Sequence, residues 1–260
     1  MIYYFILGIV QGLTEFLPIS SSAHLVLAGR FLGFDPPGLL LEAVVHLGTL
    51  CSVLLLFRRD IARLVRGLFN SGEERRRIGR LVVGTLPIVL CGFLLQEKIE
   101  AAFSSLVIIG FSLLVTGALL FLADHAGRKA ERSEVRLRDS LLIGLSQAAA
   151  LLPGISRSGA TIATGMILGI RGAEAARFSF LLSIPAILGA GGLKLYQALN
   201  NVTATSNEWA GLLLGALTAG AVGALAIKGL LAVISRGRLK TFGVYCLAVG
   251  LAVIVYSYLT

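Results

Sequence analysis

Apolar residues fill the chain in long runs, and polar residues interrupt those runs at only a few places. A helix needs about 20 mostly apolar residues to cross the ~30 Å hydrocarbon core of a bilayer. Six runs come close to this length, namely 38–57, 81–95, 106–123, 178–193, 209–227 and 241–259. The pattern therefore predicts six transmembrane helices.

Two further apolar regions are broken in the middle. Residues 2–17 and 23–32 are separated by Pro18 and a serine cluster, and residues 141–152 and 159–170 are separated around Pro153 and Gly154. Each piece is too short or too polar to cross the membrane alone. We therefore expect each region to be a re-entrant helix pair that enters and leaves the membrane on one side.

The two broken regions resemble each other. GIVQGLTEFLPISSSA begins at Gly8, and GLSQAAALLPGISRSG begins at Gly144. The identities at an offset of 136 are Gly8/Gly144, Gln11/Gln147, Ile19/Ile155, Ser20/Ser156 and Ser22/Ser158. Three predicted spans follow each region. The chain therefore reads as one all-α polytopic membrane domain, 1–260, made of two repeats, 1–123 and 124–260.

The basic residues predict how these repeats are oriented. An odd number of crossings per repeat inverts the second copy. The connecting segments 58–80, 97–103, 124–139, 194–208 and 228–240 hold eight, one, five, one and four Lys or Arg. Because basic loops stay in the cytoplasm, this alternation places both termini and the first broken pair on the outside. Breaks at matching positions of inverted repeats are typical of a binding site.

Composition agrees with a membrane protein and excludes several other classes. The chain is 56% hydrophobic and 14% charged, against about 25% charged residues in soluble domains. The net charge of +9 comes mainly from the short segments between spans, so we expect no nucleic-acid partner. The three cysteines lie in apolar runs without metal-ligand spacing, which excludes a disulfide scaffold.

Ionisable side chains at membrane depth are costly and are candidates for function. In the first broken region, Gln11 and Glu15 are four residues apart and share one helix face. Ser20, Ser21 and Ser22 follow Pro18, with Ser22 as the expected N-cap of the next helix and His24 in its first turn.

The second broken region carries a matching polar set. Ser156, Arg157, Ser158 and Thr161 are expected at the start of its second half-helix. A helix N-terminus binds anions through its free N–H groups, and the arginine fork suits phosphate. Two such N-termini facing each other predict a phosphate-ester site.

Each element also has a structural interpretation. Ser22 and Ser158 could serve close helix packing, and Glu15 could simply neutralise Arg157. For Glu42 and His46, four residues apart in the first span, we favour a structural role.

QGLTEFLPISSSAH (residues 11–24) and PGISRSGAT (residues 153–161) resemble the two signature motifs of the bacterial undecaprenyl-diphosphate phosphatases, the bacitracin-resistance family. The resemblance covers essentially the whole chain. It places the phosphatase residues on Glu15, Ser21, His24, Ser156, Arg157 and Thr161. The family's first motif often has Glu where this chain has Gln11.

The resemblance implies hydrolysis of undecaprenyl diphosphate to undecaprenyl phosphate and inorganic phosphate, which recycles the lipid carrier for peptidoglycan synthesis. It implies catalytic roles for Glu15, Ser21, His24 and Arg157, and substrate binding by Gln11, Ser20, Ser22, Ser156, Ser158 and Thr161. A divalent cation, Mg²⁺ or Ca²⁺, is expected on Glu15. The nucleophile is left open among His24, Ser21 and water, and Glu15 would orient His24 or bind the cation.

Two other functions remain as alternatives. Inverted repeats with broken helices are also the architecture of secondary transporters and lipid flippases, and a non-catalytic lipid-binding protein is the third option. A histidine beside a serine cluster with Glu and Arg favours bond breaking. The expected partners are a polyprenyl diphosphate and membrane lipids, with a homodimer left open, and the expected location is the bacterial cytoplasmic membrane with an extracytoplasmic site.

Overall fold

The fold is built from α-helices throughout the part of the chain that is described. The computed structural model describes residues 1–31, 39–199 and 206–259. Its helices are α1 (Ile2–Phe16), α2 (Ser21–Phe31), α3 (Leu39–Leu56), α4 (Arg58–Asn70), α5 (Gly72–Leu94), α6 (Gln96–Phe103), α7 (Leu106–Gly127), α8 (Leu137–Ala149), α9 (Arg157–Ile167), α10 (Gly172–Leu199), α11 (Ser206–Ser235) and α12 (Lys240–Leu259). Parts of three predicted segments, namely Leu32, Gly38 and residues 200–205, lie outside the described residues.

The long helices correspond to the predicted spans. Five are long and apolar enough to cross a membrane, and they are Gly72–Leu94, Leu106–Gly127, Gly172–Ala198, Asn207–Ser235 and Lys240–Leu259. The sixth predicted span corresponds to α3, which passes the same test together with α4 across a 75° bend. The chain is a multi-pass membrane protein, as its apolar pattern predicts.

The two broken regions form pairs of short helices. Helix α1 ends at Phe16 before Pro18, and α8 ends at Ala149 before the Pro153–Gly154 turn. Helices α2 and α9 have 11 residues each, which is about 16 Å and only half of a ~30 Å bilayer core. Neither pair can therefore cross the membrane as two complete helices.

The connecting segments differ from the prediction. Residues 58–80 were expected to form a loop, but they contain α4 and the first turns of α5, and 97–103 lies in α6. The reason is that the charges of α4 lie on one side of an amphipathic helix, and that Ser71 caps α5 by accepting from the Glu74 N–H at 3.4 Å. The loop at 228–240 is also shorter than expected, because α11 continues to Ser235.

Glycines allow the closest helix packing around the broken pairs. Helix α1 packs on α11, and α8 packs on α5. A Cβ atom on Gly8 would lie 2.6 Å from the Gly215 carbonyl oxygen, and one on Gly144 would lie 2.4 Å from the Gly84 carbonyl oxygen. Close contact through small residues is the usual way that membrane helices gain packing energy. These contacts hold both breaks against long helices in the interior.

Candidate active site between the two broken helices

The two breaks meet inside the protein. The Gly154 N–H donates to Ser20 Oγ at 3.2 Å, and Ser158 Oγ donates to the Leu17 carbonyl at 3.2 Å. These bonds join residues 134 and 141 positions apart. The N-termini of α2 and α9 therefore lie side by side, as the sequence predicts for one shared site.

Ser20 makes the turn between α1 and α2. Its φ of 71° lies in the left-handed region, which non-glycine residues rarely adopt. Ser20 Oγ accepts from the Ala23 N–H at 3.5 Å and bonds to Ser22 Oγ at 3.1 Å. The cap of α2 is thus Ser20, so the expectation of Ser22 as N-cap is wrong by two residues. The reason is that the left-handed turn lets α2 begin already at Ser21.

Glu15 is the centre of the polar cluster. Its Oε2 accepts from Gln11 Nε2 at 3.0 Å and from Ser21 Oγ at 2.6 Å, while its Oε1 accepts from Arg157 at 2.5 Å. The carboxylate is 6% exposed. A buried carboxylate is tolerated when it is paired and fully hydrogen-bonded, and both conditions hold here. The structure therefore brings Gln11, Glu15, Ser21 and Arg157 into one cluster.

His46 adjoins this cluster from α3. Its Nε2 lies 3.6 Å from Glu15 Oε2, and its Nδ1 contacts the Glu42 carbonyl oxygen at 2.7 Å. Because a carbonyl only accepts hydrogen bonds, Nδ1 carries a proton and Nε2 is directed at Glu15. The Glu42 carboxylate instead pairs with Lys194 at 2.6 Å. We therefore count His46 with the site, although its sequence spacing favoured a purely structural role.

His24 faces a different partner. Its Nδ1 contacts the Ser20 carbonyl at 2.8 Å, and its Nε2 contacts the Tyr245 hydroxyl at 2.7 Å, with the two rings stacked at 5.7 Å and 14°. The carbonyl again fixes the proton on Nδ1, so neutral His24 accepts at Nε2 from the Tyr245 O–H. Within the described chain, His24 makes no hydrogen bond to Glu15 or Ser21. Tyr245, 221 residues away, carried no signal in the sequence.

The hydroxyls of the second motif are engaged within the protein. Ser156 caps α9 by accepting from the Gly159 N–H at 3.1 Å, and it bonds to Ser158 Oγ at 3.2 Å. Thr161 bonds to Ser179 Oγ at 2.6 Å. Ser156, Ser158 and Thr161 are all buried, whereas Ser21, Ser22, His24, His46 and Arg157 are half-buried. The half-buried set is the one that a substrate can reach.

A divalent cation would find few protein ligands here. The described residues contain no group of three or more His, Cys, Asp or Glu side chains arranged to hold a metal. The Oε1 atom of Gln11 is buried without a hydrogen-bond partner in the same described ranges, close to Glu15. Mg²⁺ is commonly held by one or two carboxylates together with substrate phosphates. Glu15 and Gln11 fit such a shared site, in which substrate oxygens complete the ligand shell.

The arrangement suits a phosphorylated ligand. Two half-helix N-termini present N–H groups and positive dipole ends, Arg157 adds a guanidinium, and the Ser21 hydroxyl is hydrogen-bonded to a carboxylate. Phosphoryl transfer needs this combination of charge neutralisation and positioning.

Comparison with known proteins gives a consistent result. Residues 4–252 match the family described as bacitracin resistance protein BacA. The chain is 44% identical over 262 residues to the undecaprenyl-diphosphatase of Desulforudis audaxviator, covering 98% of this chain and 97% of that protein. It is 40% identical to the undecaprenyl-diphosphatase of Christiangramia forsetii and 42% identical to that of Desulforapulum autotrophicum, with 97% of each chain covered in both cases.

Proposed function

The chain belongs to the family of bacitracin resistance protein BacA, and we infer that it is an undecaprenyl-diphosphate phosphatase. It hydrolyses undecaprenyl diphosphate to undecaprenyl phosphate and inorganic phosphate, recycles the lipid carrier for peptidoglycan synthesis and confers resistance to bacitracin. The observation that carries the chemistry is the hydrogen bond of 2.6 Å between Ser21 Oγ and Glu15 Oε2.

In the proposed mechanism, Ser21 is the nucleophile. Its Oγ attacks the terminal phosphorus, its proton passes to Glu15 Oε2, and the bond from that phosphorus to the bridging oxygen breaks. Undecaprenyl phosphate leaves. Water then attacks the phosphorus of the phosphoserine, the bond to Ser21 Oγ breaks, the proton on Glu15 returns to Ser21 Oγ, and the protons of the water leave with inorganic phosphate. Support comes from the contact with Glu15 and from the half-buried position of Ser21 at the start of α2.

The other residues of the site bind and orient the substrate. Arg157 and the first N–H groups of α2 and α9 hold the phosphate oxygens. His24, positioned by Ser20 and Tyr245, lies one turn into α2 and lines the same N-terminus. Glu15 and Gln11 Oε1 would hold a divalent cation, which would supply charge neutralisation for the diphosphate. Ser20 and Ser158 hold the two breaks together through the Gly154 N–H and the Leu17 carbonyl, whereas the half-buried Ser22 binds the phosphate beside Ser21. Ser156 and Thr161 support α9 from within, through Gly159 and Ser179.

We also propose that the two halves, 1–123 and 124–260, are inverted repeats. Equivalent serines make equivalent contacts, since Ser20 and Ser22 bond at 3.1 Å and Ser156 and Ser158 bond at 3.2 Å. Helix α1 packs on α11 as α8 packs on α5. These correspondences support an origin by duplication.

A test of the function measures phosphate release from undecaprenyl diphosphate by the pure protein in detergent. A phosphatase releases phosphate without a second compartment, whereas a transporter or flippase does not. Glu15→Gln preserves the shape of the central side chain and should abolish release. Quenching in SDS at neutral pH, which preserves both phosphoserine and phosphohistidine, should trap label on Ser21 when the substrate is labelled in its terminal phosphate. Label on His24 instead, or full activity of Ser21→Ala, would contradict the mechanism but not the function.

The proposed location is the bacterial cytoplasmic membrane, with both termini and the site on the outside. The alternating basic content of the connecting segments supports this topology. In a background with Cys51, Cys91 and Cys246 replaced, an impermeant thiol reagent applied to cells should label a cysteine at Lys98 and spare one at Asn70. Equal labelling of both positions would contradict the topology.

A further inference from the structure

Helix α4 leaves the long axis of α3 at a sharp angle. The two helices meet at Phe57 with a bend of 75°, so α4 runs close to the membrane plane if α3 crosses it. Two surfaces of α4 are exposed, an apolar face of Val65, Leu68 and Phe69 and a basic face of Arg59, Arg63 and Arg66. A helix with two such faces is typical of the boundary between lipid tails and head groups.

The apolar face has no protein covering it in the described chain. Phe69 is 79% exposed and Val65 is 60% exposed. The opposite side of the helix is packed, because Gly67 lies against the side chain of Glu74 on α5, and Asp60 pairs with Arg177. Helix α4 is thus fixed to the protein by one side and presents its apolar face outward, where acyl chains of the bilayer can contact it.

The basic face combines three arginines that have no ion-pair partner in the described chain with an adjoining exposed apolar face. Arg77, Arg80 and Arg177 each form an ion pair with a carboxylate. Within the described residues, by contrast, no ion pair is found for Arg59, Arg63 or Arg66. They are spaced i, i+4 and i+7, and they line one open groove together with Asn70 and Ser71. Glu74 lies in the same groove and is ion-paired to Arg77.

We propose that α4 is a docking surface for the anionic phospholipids of the bilayer. The basic face binds the phosphate of the head group, and the apolar face contacts the acyl chains of the same leaflet. Charge complementarity supports an anion, and the adjoining apolar face selects a lipid over a small soluble phosphate. This surface lies on α4, which contributes no residue to the site of Glu15 and Arg157.

The test measures how tightly the full-length protein retains phosphatidylglycerol, compared with phosphatidylcholine, in native mass spectrometry from mixed detergent micelles. The variant R59Q/R63Q/R66Q should lose at least about tenfold in affinity for phosphatidylglycerol. The matched control R236Q/R238Q/K240Q removes three exposed positive charges elsewhere and should change it by less than about threefold. The variant V65S/F69S should also weaken retention, and R59K/R63K/R66K should preserve it.

Several results would overturn the proposal. Equal losses in the basic-face variant and the control would mean that net charge alone attracts the lipid. Displacement of phosphatidylglycerol by millimolar inorganic phosphate, with no effect of V65S/F69S, would make the groove a simple anion site. Unchanged retention in R59Q/R63Q/R66Q would exclude α4. Thermal unfolding in detergent shows whether each variant is folded. If R59Q/R63Q/R66Q does not fold, V65S/F69S is compared with R59K/R63K/R66K instead.

Discussion

Replacing Arg157 by lysine separates charge from geometry at the centre of the site. Arg157 donates to Glu15 Oε1 at 2.5 Å and is 17% exposed, so part of its guanidinium remains available to a phosphate. Lysine preserves the positive charge, but it is a compact ammonium that lacks the planar fork. Losing a hydrogen bond made to the transition state costs about 3 kcal/mol, or on the order of 10² in kcat. We expect Arg157→Lys to fold normally and to lose turnover by this factor.

The choice of lysine follows from the burial of Glu15. A neutral replacement leaves that carboxylate buried without its arginine counter-charge, which costs about 3–5 kcal/mol of stability and mixes unfolding with catalysis. Arg177→Lys is the matched control, because Arg177 also pairs with a carboxylate, Asp60, but lies outside the site. Phosphate release and thermal unfolding are measured for both variants. Near wild-type turnover of Arg157→Lys would refute the phosphate-binding role and reduce Arg157 to a counter-charge for Glu15.

Three further predictions concern single contacts. Tyr245→Phe removes one hydrogen bond to His24 that is worth about 1 kcal/mol, so turnover should fall about fivefold. Diethyl pyrocarbonate should also modify His24 faster, because Nε2 is no longer covered. An unchanged modification rate would show that Tyr245 does not shield Nε2. Gln11→Glu places a second carboxylate beside Glu15, and two adjacent buried carboxylates cannot both ionise freely without a cation. Turnover should therefore depend more strongly on Mg²⁺ than in the wild type. Equal loss of turnover in both proteins on titration with EDTA would contradict this. Gln147 is fully buried with neither amide atom hydrogen-bonded in the described chain, so Gln147→Met should raise stability by about 1–3 kcal/mol without changing turnover, and a lower melting temperature would contradict this.

The sequence predicts those features that depend on local pattern. Apolar runs locate the spans, because a helix must match the thickness of the bilayer. Pro18, followed by the serine cluster, and Pro153, followed by Gly154, locate the breaks, whereas Pro87 and Pro185 are accommodated inside α5 and α10. The cluster of Glu15, Ser21 and Arg157 follows from the two motifs and from the expectation that the half-helices meet. The spans and the breaks follow from spacing and residue type alone, whereas the choice of Ser21 among the serines comes from the family resemblance.

Other features arise from packing that no spacing reveals. His46 comes near Glu15 only because α3 packs beside α1, and Tyr245 reaches His24 only because α12 packs near α2. Helix α4 was not predicted because the number of charged residues in this segment is typical of a loop. The arginines are nevertheless spaced with the period of an amphipathic helix. The left-handed backbone conformation of Ser20 could not be predicted either, because no glycine marks this position in the sequence.

The joined breaks have a consequence for how the protein is made. Gly154 bonds to Ser20, Ser158 bonds to Leu17 and Arg157 pairs with Glu15, so these polar groups of the first broken pair lack their partners until the second pair has been synthesised. At about 5–20 residues per second, translation of the intervening stretch takes roughly 7–28 s. Unpaired polar backbone is costly inside lipid, so during that interval the nascent α1 and α2 have reason to remain at the water interface or beside the insertion machinery. Completion of α9 supplies the partners that the first broken pair needs inside the bilayer.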